Sequence, residues 1–139
     1  SSKVWTVPAE RMKAAKEHRV PLCDQVINIL TSIRSNRHAE DFVFPGWKPG
    51  TGLSNGAMLV LMRKMAFGPY TPHGFRSTFR DWASDRAYTF QNETIELALA
   101  HSIKNKAEAA YRRGDQLERR RELMVAWSEY TELPTRSQV

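Results

Sequence analysis

The sequence predicts a mainly α-helical domain with a small N-terminal β-hairpin. Segment after segment beyond Cys23 repeats apolar residues at helical spacing, and helix-starting residues precede several of these runs. Strand-like alternation is confined to the opening residues.

Trp5 and Val7 alternate with polar neighbours until Pro8, which argues against a central strand. Arg19 to Leu22 offers a second extended piece, with Val20 and Leu22 as its apolar positions. The charged stretch Glu10 to His18 reads as a mobile hairpin loop carrying Lys13 and Lys16, with a short helix as the rival reading. Val26, Ile29, Leu30 and Ile33 then mark a helix with one buried face. Arg34 to Glu40 reads as helix end and loop, and Phe42 to Phe44 as a short extended piece stopped by Pro45. Gly46, Pro49, Gly50 and Gly52 punctuate a surface loop.

Ser54 is placed to cap the next helix, with Leu53 and Met58 as a hydrophobic staple. Met58, Leu61, Met62 and Met65 make its apolar face, read as core filler, and Gly68-Pro69 ends it. Thr71 caps the following helix, with Pro72 at its first position, where a missing N–H costs nothing. Phe75, Phe79, Trp82 and Ala83 line one face of that helix, while His73, Arg76 and Arg80 share another. Asn92 caps a helix containing Ile95, Ala98 and Leu99 that runs towards His101. A last helix, from about Gln116 to Tyr130, is anchored by Leu117, Met124 and Trp127, with Arg119, Arg120 and Arg121 facing solvent or DNA. Residues 1–133 are expected to form one domain and 134–139 a disordered tail.

At 139 residues one domain with a modest core is the natural size. A net charge of +6, from 21 Lys and Arg, favours polyanionic partners. Mean hydropathy is −0.55, and no apolar run approaches the roughly 20 residues of a membrane span. No signal peptide is seen, so no membrane partner is expected. The single cysteine, Cys23, excludes an internal disulfide and a thiolate metal cluster, suits a reducing compartment and reads as a buried structural thiol. The four histidines match no zinc spacing, so neither metal nor cofactor is expected.

Lys13, His73, Arg76, His101 and Tyr111 together suit chemistry on a DNA phosphate. A planar guanidinium such as that of Arg76 donates two parallel hydrogen bonds to phosphate oxygens, and these strengthen as charge collects in the transition state. His73, one turn from Arg76, can take a proton or donate a hydrogen bond, depending on its protonation. A phenol with a pKa of about 10 is a weak nucleophile at neutral pH, so Tyr111 needs cations nearby; Arg112, Arg113 and Arg76 are the candidates. Taken singly, each residue has a plainer reading: a half-buried tyrosine, solvent-facing arginines, core or capping histidines, a solvated loop lysine.

Thr71-Pro-His-Gly-Phe-Arg-Ser-Thr-Phe-Arg80, Leu97-Ala-Leu-Ala-His101 and Ala109-Ala-Tyr-Arg-Arg-Gly-Asp115 resemble the catalytic domain of tyrosine recombinases, in particular the prophage integrase branch. Trp5 to Lys13, followed by His18-Arg-Val-Pro-Leu22, resembles that branch's lysine hairpin, and Arg119 to Trp127 its closing helix. The resemblance implies part of the tyrosine recombinase catalytic-domain fold, and it reaches nearly to Tyr130. It makes Tyr111 the nucleophile, Lys13 the general acid, His73 and Arg76 members of the His-x-x-Arg box, and His101 the second site histidine. Lys16 is the competitor of Lys13, and Arg80, Arg112, Arg113 and Lys16 are candidates for DNA phosphate contact.

The family's first catalytic arginine stands upstream of the lysine hairpin and has no counterpart here, nor does the family's separate DNA-binding domain. The isolated chain is therefore expected to be a piece of a longer integrase with impaired activity. The implied partners are double-stranded DNA attachment sites, further protomers in a synaptic tetramer, and DNA-bending accessory proteins, acting at the nucleoid in a bacterial cytoplasm. Three other readings stay open: relaxation of DNA in the manner of a type IB topoisomerase, a non-catalytic DNA-binding remnant, and a purely structural domain.

Overall fold

The computed structural model describes residues 3–33, 38, 40–101 and 114–132. Strand β1, Val4–Val7, pairs antiparallel with β2, His18–Pro21, setting Val4 opposite Pro21 and Val7 opposite His18. The expected hairpin is therefore present. Its connection is neither pure loop nor helix: Pro8 leads into one 3₁₀ turn, Ala9–Arg11, before the chain opens out again. Trp5 is exposed, while Val4 and Val7 are half-buried.

Five helices follow among the described residues: α1 (Asp24–Ile33), α2 (Ala57–Lys64), α3 (Pro72–Arg86), α4 (Asn92–Ala98) and α5 (Leu117–Glu132). The mainly helical class with one small sheet is as the sequence predicts. The core lies where α3, α4 and α5 meet. Phe79, Trp82 and Ala83 of α3 pack with Ala87, with Ile95 and Leu99 at α4, and with Leu123 of α5. Trp127 sits 5.0 Å from Trp82 and meets Phe79 edge-on at 5.4 Å, within the range aromatic rings prefer. Cys23 is buried, in keeping with a structural thiol.

Several local expectations are corrected. Gly56, not Ser54, stands at the N-terminal boundary of α2, and no side chain caps it; Ser54 contributes only its carbonyl, which accepts from the Ala57 N–H at 3.1 Å. Leu53 and Met58 are both exposed, so no buried staple forms. Of the apolar face of α2, only Met62 is buried, leaving Met58, Leu61 and Met65 exposed. Phe75 is likewise exposed, so the core face of α3 begins at Phe79. Gln91 rather than Asn92 is the N-cap of α4, which makes Asn92 its first helical residue. No residue of α1 is fully buried.

Phe42 to Phe44 makes no strand; an isolated bridge pairs Pro45 with Gly52 instead. A side chain at Gly46 would put its Cβ 2.4 Å from the Gly52 carbonyl oxygen, so this crossing needs glycine. The largest correction concerns Arg120, expected on a solvent or DNA face. Its side chain is 1% exposed, held between α5 and the hairpin.

Candidate active site

Thr71 starts α3 as its sequence predicts, with an extended backbone and an Oγ1 that accepts the Gly74 N–H at 3.1 Å. Pro72 follows at the first turn, where a proline fits. His73 is exposed in that turn, and Arg76 and Arg80 follow, both partly buried. Arg76 reaches across to α4 and donates from Nη2 to the carbonyl of Leu99, the C-cap of that helix. This bond brings the arginine of one motif to the histidine end of another.

The chain leaves α4 through a left-handed turn at Ala100, whose φ is +52°. The Ala100 N–H bonds the Leu97 carbonyl at 3.1 Å, and the His101 N–H bonds the Glu96 carbonyl at 3.0 Å. That pair of bonds is a Schellman ending, which satisfies carbonyls that the helix would leave orphaned. It also folds His101 back over Glu96, whose Oε2 lies 2.6 Å from the ring Nδ1. The other carboxylate oxygen, Oε1, accepts from Arg80 Nε at 3.0 Å. Arg80 also donates to Asn92 Oδ1 at 2.7 Å and to Ser84 Oγ at 2.5 Å. A contact between Arg80 and DNA would compete with these three partners.

A second polar cluster fixes the hairpin. Arg120 donates from Nε to the Asp115 carbonyl at 2.7 Å, from Nη2 to Asp115 Oδ2 at 2.9 Å, and from Nη1 to the Arg19 carbonyl at 2.5 Å. Arg19 closes the ring by gripping the Asp115 carboxylate through Nε and Nη2, at 2.8 and 2.7 Å. A buried guanidinium is tolerable because its donors meet acceptors. The hydrogen bond from Arg19, reinforced by the Arg120 charge, holds the Asp115 carboxyl below its ordinary value.

Half-buried His18, expected in a loop, lies in β2 and is held below its ordinary value, first by burial and then by the Arg120 charge. The charge of Arg76 acts in the same direction, which sets the hairpin within electrostatic reach of α3. Lys13 and Lys16 are exposed on the hairpin connection. Tyr111, Arg112 and Arg113 lie outside the described residues.

The structure therefore gathers Arg76, Arg80 and His101 at the α3–α4 junction and ties the lysine hairpin to α5. Sequence reading missed Glu96, Asp115, His18 and the buried role of Arg120. The spacing of Arg120 from Asp115 was visible, but it signals nothing until both ends of the contact are known.

Among the described residues, no helix is long and apolar enough to cross a membrane. No family model and no solved structure matches the chain. Curated relatives do. The chain is 33% identical over 127 residues to prophage integrase IntA of Escherichia coli K12, covering 90% of this chain and 30% of that protein. It is 30% identical over 135 residues to the integrase of Shigella phage Sf6, covering 93% and 34% respectively. The integrase of Enterobacteria phage P4 is 29% identical over 147 residues, covering 94% and 33%. The chain spans about a third of the length of the curated relatives it matches. With nearly all of its own length aligning to phage and prophage integrases alike, the chain belongs to the integrase family.

Proposed function

We propose that the chain carries most of the active site of a tyrosine-type site-specific recombinase that integrates or excises a prophage or genomic island. Tyr111 attacks the scissile phosphorus, forming a bond from its phenol oxygen as the bond to the 5′ oxygen breaks. The product is a 3′-phosphotyrosyl link, and Lys13 delivers the proton that the departing 5′ oxygen needs. Arg76 binds the non-bridging oxygens, where its hydrogen bonds strengthen as negative charge accumulates. His73 and His101 serve the same phosphate, as proton acceptor or hydrogen-bond donor. Attack by a 5′ hydroxyl of the partner duplex reverses the step and joins new neighbours. Phosphodiester energy is conserved, so the chemistry requires neither nucleotide hydrolysis nor a metal.

The observation that carries this reading is the bond from Arg76 to the Leu99 carbonyl, two residues before His101. It unites on one surface two motifs that lie on different helices. The integrase relatives support DNA as the substrate class. Attachment-site duplexes, a four-protomer synapse and DNA-bending helpers at the bacterial nucleoid complete the proposal.

Covalent capture of supercoiled plasmid in EDTA tests it. Three proteins are compared: this chain, a form extended upstream through an arginine helix of the kind the resemblance implies, and the extended Tyr111→Phe variant. A tyrosine-dependent adduct from the extended form is the expected result. Relaxation without recombinant joints between two attachment sites would favour a topoisomerase. A folded extended protein that binds DNA, with affinity falling steeply as salt rises, but forms no adduct on plasmid or attachment-site DNA would be a non-catalytic remnant.

A further inference from the structure

We propose that Glu96 is a positioning residue that fixes the ring of His101, and that Arg80 is the cation that holds Glu96 in place. The proposal rests on the recombinase reading above, and deepens it by assigning two residues outside the resemblance's catalytic set.

Glu96 grips His101 twice. Its carbonyl accepts the His101 backbone N–H at 3.0 Å, and its Oε2 lies 2.6 Å from Nδ1. A carboxylate only accepts hydrogen bonds, so the ring must present Nδ1–H to it. In the neutral imidazole this leaves Nε2 as the free lone pair, and in the charged ring it leaves Nε2–H as the free donor. Either way, the ring edge bearing Nε2 is the one available to a phosphate. A carboxylate that orients a histidine from behind is a known way to select tautomer and direction.

Glu96 is itself anchored through Oε1 by Arg80 Nε at 3.0 Å, and Arg80 is braced by Asn92 and Ser84. Arg80 follows Arg76 by four residues on α3, and Arg76 bonds Leu99 on the same α4 terminus. Two arginines one turn apart thus hold the backbone and the carboxylate that together set His101.

Long-range ¹H–¹⁵N spectra of the histidine rings, assigned with His101→Gln, report the tautomer in this chain directly. The neutral His101 ring is expected in the Nδ1–H form. Glu96→Gln keeps that form, because the amide oxygen still accepts, whereas Glu96→Ala moves the ring towards Nε2–H. Should Glu96→Ala fail to fold, Glu96→Asp withdraws the carboxylate by one methylene and is expected to act in the same direction. A folded Glu96→Ala or Glu96→Asp chain with an unchanged tautomer overturns the proposal.

The kinetic arm uses the extended form from the capture assay. There, Glu96→Ala is expected to slow adduct formation about tenfold or more at unchanged DNA affinity. Glu96→Gln restores most of the rate, and Glu96→Ala adds nothing to His101→Ala. Losses that simply add would show that Glu96 does not act through His101. No adduct from the unsubstituted extended protein would sink the recombinase reading instead, while the tautomer measurement still decides whether Glu96 sets the ring.

Discussion

Leu123 on α5 and Leu61 on α2 are the same side chain, and only Leu61 is expected on an apolar face from the sequence, yet Leu123 is fully enclosed and Leu61 is 56% exposed. The contrast extends to their surroundings. Around Leu123, three helices close over Phe79, Trp82, Ile95 and Leu99. On the same helix as Leu61, Met58 and Val60 stand exposed, as does Met65 at its C-cap. Periodicity assigns a helix an apolar face, but only a neighbouring layer turns that face into an interior. In the first region the layer is present. In the second, none is seen among the described residues.

The sharpest way to break this comparison is to apply one substitution to both regions. Leu123→Ala is expected to cost about 4 kcal/mol, high in the usual range because the site is fully enclosed. Urea unfolding of the chain measures it, and a loss below about 1 kcal/mol would show that the core is looser than described. Next comes Arg120→Ala, expected to cost about 3 kcal/mol. That is at the low end for breaking a buried pair, because Asp115 keeps its contact with Arg19. The same unfolding curves decide this case, and Arg120→Lys should recover little, since a single ammonium cannot reproduce the planar fork.

Acidification tests the cluster that ties the hairpin to α5 without any substitution. His18, held down first by burial, has a folded pKa below 6.5, so its neutral form is favoured by folding. Its contribution is complete above 6.5 and is lost as pH falls through the lower folded value. Asp115 adds a second loss below 3.8, as the carboxylate held down by Arg19 takes up its proton. Melting temperature measured from pH 8 downwards should therefore fall in two stages, and His18→Gln should remove the upper one. An unchanged upper stage would exclude His18 as its source.

Ala100→Gly is expected to stabilise by up to about 1 kcal/mol, because alanine is strained in the left-handed region and glycine is not. The gain is partly offset by the greater freedom of glycine in the unfolded chain. Thermal melts would show it, and a destabilised variant would argue against the Schellman ending. The smallest effect closes the comparison: Leu61→Ala should change stability by less than about 0.5 kcal/mol by the same urea method. A loss comparable to that of Leu123→Ala would mean that α2 is covered in solution.

The helices were legible because their determinants are local. Thr71-Pro72 encodes the start of α3, and the spacing of Phe79, Trp82 and Ala83 encodes its buried face. The hairpin was legible from alternation on either side of a charged connection. Contacts that depend on distant chain were not. Arg120 has no local mark of burial: Asp115 stands only five residues away, but the Arg19 carbonyl that Arg120 also grips lies 101 residues away. Glu96 was hidden for another reason. Its reach to His101 requires a reversal at Ala100, and alanine, unlike glycine, does not advertise a left-handed turn. The exposure of α2 was also illegible, because methionines at helical spacing look the same whether or not anything packs on them.

The grip of Arg120 on the Arg19 carbonyl links residues 101 positions apart in the chain. On a ribosome, the hairpin emerges about 100 residues before its anchor. Until that anchor is made, β1 and β2 lack its support, and a two-stranded ribbon is marginal in water by itself. Its amides should gain protection from hydrogen exchange only when the Arg120-bearing helix arrives, which pulsed exchange on stalled nascent chains would reveal. The arrival of α5 would then decide when the lysine hairpin takes its place.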